Sequence, residues 1–459
     1  MVNRIWCETV IPILWKNPWH YKLNYCNKNY LFIIISLYLS DDVKEFLSRQ
    51  GIQLSSMSHK SLSFDYLSFC KSINVNIIEN IISIGSSLSY NQFLLQQEFY
   101  NIMMKTCPEL KYLDIISIKH QIFYFPEAKV HLDSLCELKC DTSIDPSYFF
   151  GLARICQKIQ NLIIINTDPR ENDGIVKLIE FQKNLKFFEW KDNFDEDNFV
   201  EDPYEEIFFA LAKKTDNLNH LILYFQFIEY YEHNYLKNVL PKFSKLKTLK
   251  IDNLLFSCEE ILKTSVYRDL EIFNTDYISI ETIISMIENS GGHLKEVLLR
   301  YYCYEGEDDF NEDSLILIRT IYEKCPLVEY LSLVFSTSDD HFAEFEKLLK
   351  TCQNLRSLLL IISNIYQVET YNKKLENGEK LLNILIRSAP INLREIRFFD
   401  NFKFSLKNLE EFLEKWKGRP ALSILTSDPV YRREDYVKLI NKYKEVGVIN
   451  DFSEKNIYF

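Results

Sequence analysis

The chain has 459 residues, with 53 Lys and Arg against 65 Asp and Glu and a formal net charge of −12. That balance weighs against a general nucleic-acid binder, whose affinity rests on cations neutralising phosphates. With 47% hydrophobic residues, 14% aromatics and only 10 Gly, the sequence is neither disordered nor collagen-like and has apolar side chains enough for a core.

Residues 1–20 form the first segment. Trp6, Trp15 and Trp19 crowd it, Trp6, Val10 and Ile13 or Leu14 fall at helical spacing, and Pro18 closes it. Read from these residues alone, it is a small helical cap on the first repeats of the chain. Residues 21–100 read as a helical connector and N-terminal cap. Leu31 to Leu39 is well short of the ~20 residues needed to span a bilayer, so it reads as a buried helix and no membrane partner is expected. Asp41 and Asp42 open a helix that Gly51 ends, Ser72 to Ile84 reads as helical with Gly85 as its stop, and Asn91 to Thr106 is a further helix.

From residue 101 to about 430 a pattern L-x-x-L-x-L returns, clearest in Cys325-Pro326-Leu327-Val328-Glu329-Tyr330-Leu331-Ser332-Leu333. Its first apolar position falls at Leu110, Leu135, Ile159, Leu185, Leu218, Leu246, Leu270, Leu294, Val328, Leu355 and Leu393. The ten intervals average about 28 residues, inside the ~20–29 of a leucine-rich repeat. The third position after it is apolar in every copy and the fifth in all but Thr275, the alternation of a strand with one buried face. Helical patterns such as Ser314–Lys324 and His341–Lys350 fill the intervals, with Asp313 or Ser314, and Asp339 or Asp340, as N-caps. The eighth position, polar at Ser143, Thr167, Asn193, Gln226, Ser336, Ser363 and Asn401, is where such repeats bind their turn backbone. The expected fold is therefore α/β, a leucine-rich-repeat solenoid of about eleven repeats: a horseshoe with a parallel sheet on the concave face and helices outside. Residues 431–459 read as a capping helix, from Arg433 to Glu445, and a tail.

Eleven Cys, an odd number, without a recognisable secretory signal, point to reduced thiols in the cytoplasm or nucleus. Cys107, Cys156, Cys325 and Cys352 each stand three residues before a first repeat position, a phase that suggests buried packing. Cys136 and Cys140 have no His at zinc spacing. Acidic runs at Asp192–Glu206 and Glu305–Asp313 read as solvated loops at the edge of the array. No hydrolase elbow, phosphate loop, dinucleotide fingerprint or zinc-protease motif is present, and Asp308 to Asp313 lacks the Gly and closing acid of a calcium loop. His220 and His293 have no catalytic partner at close spacing, although a triad assembled in space stays open. No catalytic residue, metal or cofactor is expected.

Strand positions two, four and six would face the concave surface: Tyr112, Asp114, Glu137, Glu189, His220, Asp252, Glu296, Arg300, Tyr330, Glu395 and Arg397. From these, Tyr112, Asp114, Arg300, Tyr330 and Arg397 are the candidate contacts to a protein ligand. Arg300, Tyr330 and Arg397 are the preferred anchors, because aromatic and Arg side chains dominate interface hot spots.

Asn3-Arg4-Ile5-Trp6 leading to Leu14-Trp15-Lys16-Asn17-Pro18-Trp19 resembles the second half of an F-box, whose first half, with its Leu-Pro opening, would precede Val2. Joined to the repeats, the layout is similar to fungal F-box proteins with leucine-rich repeats. That resemblance implies a substrate-recognition subunit of an SCF-type ubiquitin ligase, with Trp6, Val10, Leu14 and Trp15 contacting the Skp adaptor of a cullin complex. The repeats would hold an unidentified target protein. Such a receptor carries no chemistry of its own and works by positioning, raising the effective concentration of a target lysine. The alternative is a stand-alone repeat module that does not dock to the adaptor.

Overall fold

The computed structural model describes residues 4–20, 25–54, 62–194, 204–226, 235–252, 259–276, 278–300, 310–362, 370–399, 402–426 and 428–453. Two compact units result, Met1–Leu218 and Asn219–Phe459. Most of the two acidic runs, with Ser363 and Asn401, lie outside the described residues.

The first unit opens with α1 (Arg4–Trp15), α2 (Tyr25–Leu37) and α3 (Asp41–Arg49). Then come β1 (Ser72–Asn74), α4 (Val75–Ile82), α5 (Ser89–Thr106), β2 (Tyr112–Asp114), α6 (Ala128–Leu132) and β3 (Glu137–Asp141). It closes with α7 (Pro146–Ile155), β4 (Asn161–Asn166), α8 (Asp173–Phe181), β5 (Phe187–Asp192) and α9 (Glu205–Ala212). Strands β1 to β5 pair in sequence order, all parallel.

The second unit runs β6 (His220–Tyr224), α10 (Leu236–Val239), β7 (Thr248–Asp252), α11 (Glu259–Thr264), β8 (Ile272–Asp276), α12 (Ile280–Glu288), β9 (Glu296–Arg300) and α13 (Phe310–Lys324). It continues through β10 (Tyr330–Phe335), α14 (Asp339–Thr351), β11 (Ser357–Ile362), α15 (Tyr371–Ser388) and β12 (Glu395–Phe399). Its last elements are α16 (Leu406–Trp416), β13 (Leu422–Thr426), α17 (Glu434–Glu445) and β14 (Ile449–Ser453). These strands too are parallel neighbours in sequence order. Both units are thus α/β, leucine-rich-repeat solenoid in kind, with an open sheet and consecutive helices packed on one another.

The repeat register explains the core. All eleven first positions, from Leu110 to Leu393, are fully buried, and every third-position residue is buried beside them. Each such side chain contributes about 1.5–3 kcal/mol relative to exposure. The four phased cysteines are buried and end helices: the amides of Cys107, Cys156, Cys325 and Cys352 donate to Met103, Leu152, Ile321 and Leu348 carbonyls at 2.7–2.9 Å. A small side chain fits where the helix turns into the next strand. Burial pushes the thiols of Cys156, Cys325 and Cys352 up to about 12, so they stay protonated.

Between rungs the backbone is shared. In the second unit the carbonyl of Lys247 accepts two amides, from Glu271 and Ile272, and the carbonyls of Glu271, Lys295, Glu329 and Arg356 repeat the arrangement. The same residues bear alternating charges, and Lys247–Glu271, Lys295–Glu271 and Arg356–Glu329 pair at 3.6, 2.6 and 3.0 Å along that edge.

Several details depart from the sequence expectations. Ser72 to Asn74 is a strand, and Asn74 caps the helix after it by accepting from the Ile77 amide at 2.9 Å. Strands β13 and β14 come after the eleventh repeat, so strands extend beyond the recognised copies at both ends, and among the described residues β14 follows the helix α17. The caps move too: α14 is capped by Ser338, with Asp339 and Asp340 in its first turn, while Asp313 and Ser314 lie inside α13. In the first unit the polar turn ladder sits at the seventh position rather than the eighth. There the Thr142 hydroxyl donates to Asn166 at 3.0 Å and the Asn166 amide to Asp192 at 2.8 Å, whereas the buried Thr167 hydroxyl finds no partner among the described residues. The Thr142 side chain points into the turn and accepts from the amides of Thr167 and Asp168. Among the described residues no helix is long and apolar enough to cross a membrane.

Candidate protein-binding sites on the sheet and the first helix

Successive side chains of a strand alternate between faces, and β9 displays this plainly: Val297 and Leu299 are buried while Glu296, Leu298 and Arg300 are half-buried on the other face. In-register pairing then stacks equivalent positions into rows. One row of the second unit joins Lys250, Asn274 and Leu298, and on further strands Ser332, Leu359 and Arg397.

Arg300, Tyr330 and Arg397 line one cavity of about 520 Å³ on this face, together with Lys250, Asp252, Asn274, Glu296, Leu298, Leu359 and Glu395. Its charges are paired, twice across strands and once within β12. Lys250 meets Glu296 at 3.1 Å, Arg300 meets Asp252 at 3.5 Å and Arg397 meets Glu395 at 2.8 Å. Asn274 Nδ2 donates to Glu296 at 2.8 Å and Ser357 Oγ to Glu395 at 2.7 Å. Burial raises the Asp252 carboxyl above its ordinary range, against the downward pull of Arg300. Toward β11 the face is closed: Ser332, Val334, Leu359 and Ile361, expected to face solvent, are buried.

Tyr112 and Asp114 belong to the first unit and line a smaller cavity of about 200 Å³ with Asn17, Trp19, Glu137 and Lys139. Asn74 Nδ2 donates to Asp114 at 3.1 Å and Lys139 lies 3.8 Å away. Burial outweighs Lys139 and raises the Asp114 carboxyl. The five candidate ligand contacts therefore fall into two groups, one in each unit.

The four candidate adaptor contacts lie on α1, which buries no side chain. Trp6 is 65% exposed and Leu14 40%, flanked by Ile5 at 72% and Ile13 at 66%. Val10 and Trp15 are half-buried, and the Trp15 ring packs on Tyr66 with centroids 4.8 Å apart. The segment after α1 has a structural task that the sequence did not disclose. Buried Trp19 donates its indole N–H to the Ser72 carbonyl at 2.8 Å, and Lys71 N donates to the Lys16 carbonyl at 3.0 Å. Residues 16–19 thereby cover the start of β1.

His341 is the closest approach to a catalytic arrangement among the described residues. Its ring nitrogens contact Ser314 Oγ at 2.8 Å and Ser338 Oγ at 2.7 Å, but the residue is fully buried and no carboxylate bonds the ring. Burial lowers its pKa to about 4. A neutral imidazole between two hydroxyls ties α13 to the start of α14. His220 Nδ1 contacts Thr248 Oγ1 at 2.9 Å. Cys136 and Cys140 differ in burial, and no metal-holding group occurs among the described residues.

Lys250, Asn274 and Leu298 were not singled out in the sequence. They follow from the same register as Arg397, but neither aromatic nor Arg character marks them.

No family model matches the chain, and no curated protein matches it. Among solved structures it is similar to the crystal structure of the Rad7 and Elc1 complex in yeast, at 13% identity and a TM-score of 0.39, covering 76% of this chain and 92% of that one.

Proposed function

We propose that this chain is the substrate-recognition subunit of an SCF-type ubiquitin ligase, docking a Skp-type adaptor of a cullin complex through α1 and a target protein through the open sheet face. The observation that carries the reading is α1: Ile5, Trp6, Ile13 and Leu14 are exposed on one short helix, while Trp15 and Trp19 fasten it and its exit segment to the unit. Exposed apolar side chains rimmed by Arg4, Glu8 and Lys16 suit a protein interface. Of these, Arg4, Ile5, Trp6, Leu14 and Lys16 also carry the F-box resemblance. The second unit supports the target-binding half with a preformed cavity of mixed polarity. The receptor acts by holding its target near the charged conjugating enzyme.

Calorimetric titration of the full chain with purified Skp adaptor tests the reading. Micromolar or tighter binding, weakened at least about tenfold by Trp6→Ala with Leu14→Ala, is expected. Absence of binding favours a stand-alone repeat module.

A further inference from the structure

The smaller cavity, of about 200 Å³ on the sheet face of the first unit, is assembled by strand register. Pairing of β2 with β3 sets Tyr112 beside Glu137 and Asp114 beside Lys139, and alternation along each strand keeps all four on one face. The Tyr112 ring, on a residue 38% exposed, therefore has one carboxylate across the sheet and another along its own strand. Asn17 and Trp19, in the segment after α1, also line the cavity.

These two carboxylates are short of positive charge. Glu137 is half-buried, accepts from Asn161 Nδ2 at 3.1 Å, and is in no ion pair among the described residues. Asp114 accepts from Asn74 Nδ2 at 3.1 Å and from the Ile116 amide at 3.3 Å. Lys139, the only Lys or Arg among the described residues of the lining, stands 3.8 Å from Asp114 with its own side chain 39% exposed. Burial outweighs that attraction and raises the Asp114 carboxyl. A cation arriving from a ligand would supply the charge that Lys139 does not. Both carboxylates can be reached, since the Asp114 side chain is 18% exposed and Glu137 is only half-buried.

The volume lies below the ~300–1,000 Å³ of sites that take a whole small molecule, and it suits one side chain. A guanidinium matches the walls: it is planar, stacks on an aromatic ring and offers a fork of donors to carboxylates, whereas an ammonium is a point charge. A phosphorylated or acidic group would meet both carboxylates with Lys139 alone to offset them.

We infer that this cavity takes an arginine side chain of the target polypeptide, its guanidinium lying on the Tyr112 ring and bonded to Glu137 and Asp114. The inference rests on the target-binding half of the proposed function. It gives that half a charge-selective contact beside the segment that follows α1.

The test pans phage-displayed peptides, random except for a central residue fixed as Arg, Lys, Ala or Glu, on the full chain and measures the synthetic winners by anisotropy. The Arg library should enrich most. Exchanging that Arg for Ala should weaken binding at least about tenfold, and for Lys about threefold. Affinity should fall at least about threefold between about 50 and 500 mM NaCl, because opposite charges meet at a partly exposed site. Glu137→Gln, which keeps an acceptor for Asn161, should weaken binding at least about tenfold with the melting temperature unchanged. Tyr112→Ala should weaken it about threefold or more. Equal or greater enrichment from the Lys, Ala or Glu library, indifference to both substitutions, or no enrichment from any library overturns the inference. Adaptor binding measured on the same variants separates the two proposals: peptide binding without adaptor binding contradicts the ligase reading alone, and the converse contradicts this inference alone.

Discussion

α1 and α14 are nearly equal in length, at 12 and 13 residues, but they use their apolar side chains in opposite ways. α14 buries Phe342, Phe345, Leu348 and Leu349, and Phe342 and Phe345 meet Phe335 of β10 with ring centroids 5.3 and 5.6 Å away. α1 buries none of its residues. A repeat helix is therefore held by the stack around it, whereas α1 leaves Ile5, Trp6 and Ile13 turned to solvent. The contrast separates apolar residues that make the fold from exposed apolar residues, which the proposed function assigns to a partner.

Substitutions in the two helices should part sharply in their effects. Phe345→Ala, a truncation at a fully buried site, should cost about 3–5 kcal/mol in urea unfolding. The next largest effect is the pH response of α14. The folded pKa of His341, about 4, lies below its ordinary 6.5, so the unfolded chain binds the proton first. Its stabilising share is complete above about pH 6.5 and lost as pH falls toward 4, by on the order of 3 kcal/mol. Urea midpoints across that range should show the loss in the wild type and a flatter profile in His341→Asn.

A smaller effect is expected at the cap of α14. Ser338→Ala removes the acceptor for the His341 amide and a hydroxyl from the ring, and should cost about 1 kcal/mol by thermal melting. Trp6→Ala on α1 should change stability by less than ~0.5 kcal/mol. A large destabilisation there would place Trp6 in the core and erase the contrast.

Much of this architecture was legible because the first and third repeat positions are apolar in every recognised copy and buried without exception. The strands that escaped notice have identifiable causes. In β1, Cys70 stands where other copies carry Leu, Ile or Val, and the strand is three residues long, its last residue doubling as a helix cap. Register with β12 places Ala421 at the first position of β13, too small to mark a repeat. Arg300, Tyr330 and Arg397 were legible as outward residues, and pairing in register brings them to one cavity. The shortage of positive charge at Asp114 and Glu137 was not legible, because it depends on which side chains approach the carboxylates, not on sequence spacing. Nor did the sequence reveal that Trp19 anchors β1, a contact spanning 53 residues.

The most direct measurement is hydrogen–deuterium exchange of the full chain with and without purified Skp adaptor. Protection on adding the adaptor should be concentrated in residues 4–15 and be lost in the Trp6→Ala, Leu14→Ala chain, while the strands lining the cavity of the second unit exchange as before. Protection confined to that cavity, or none anywhere at saturating adaptor, would contradict the assignment of α1 as the docking element.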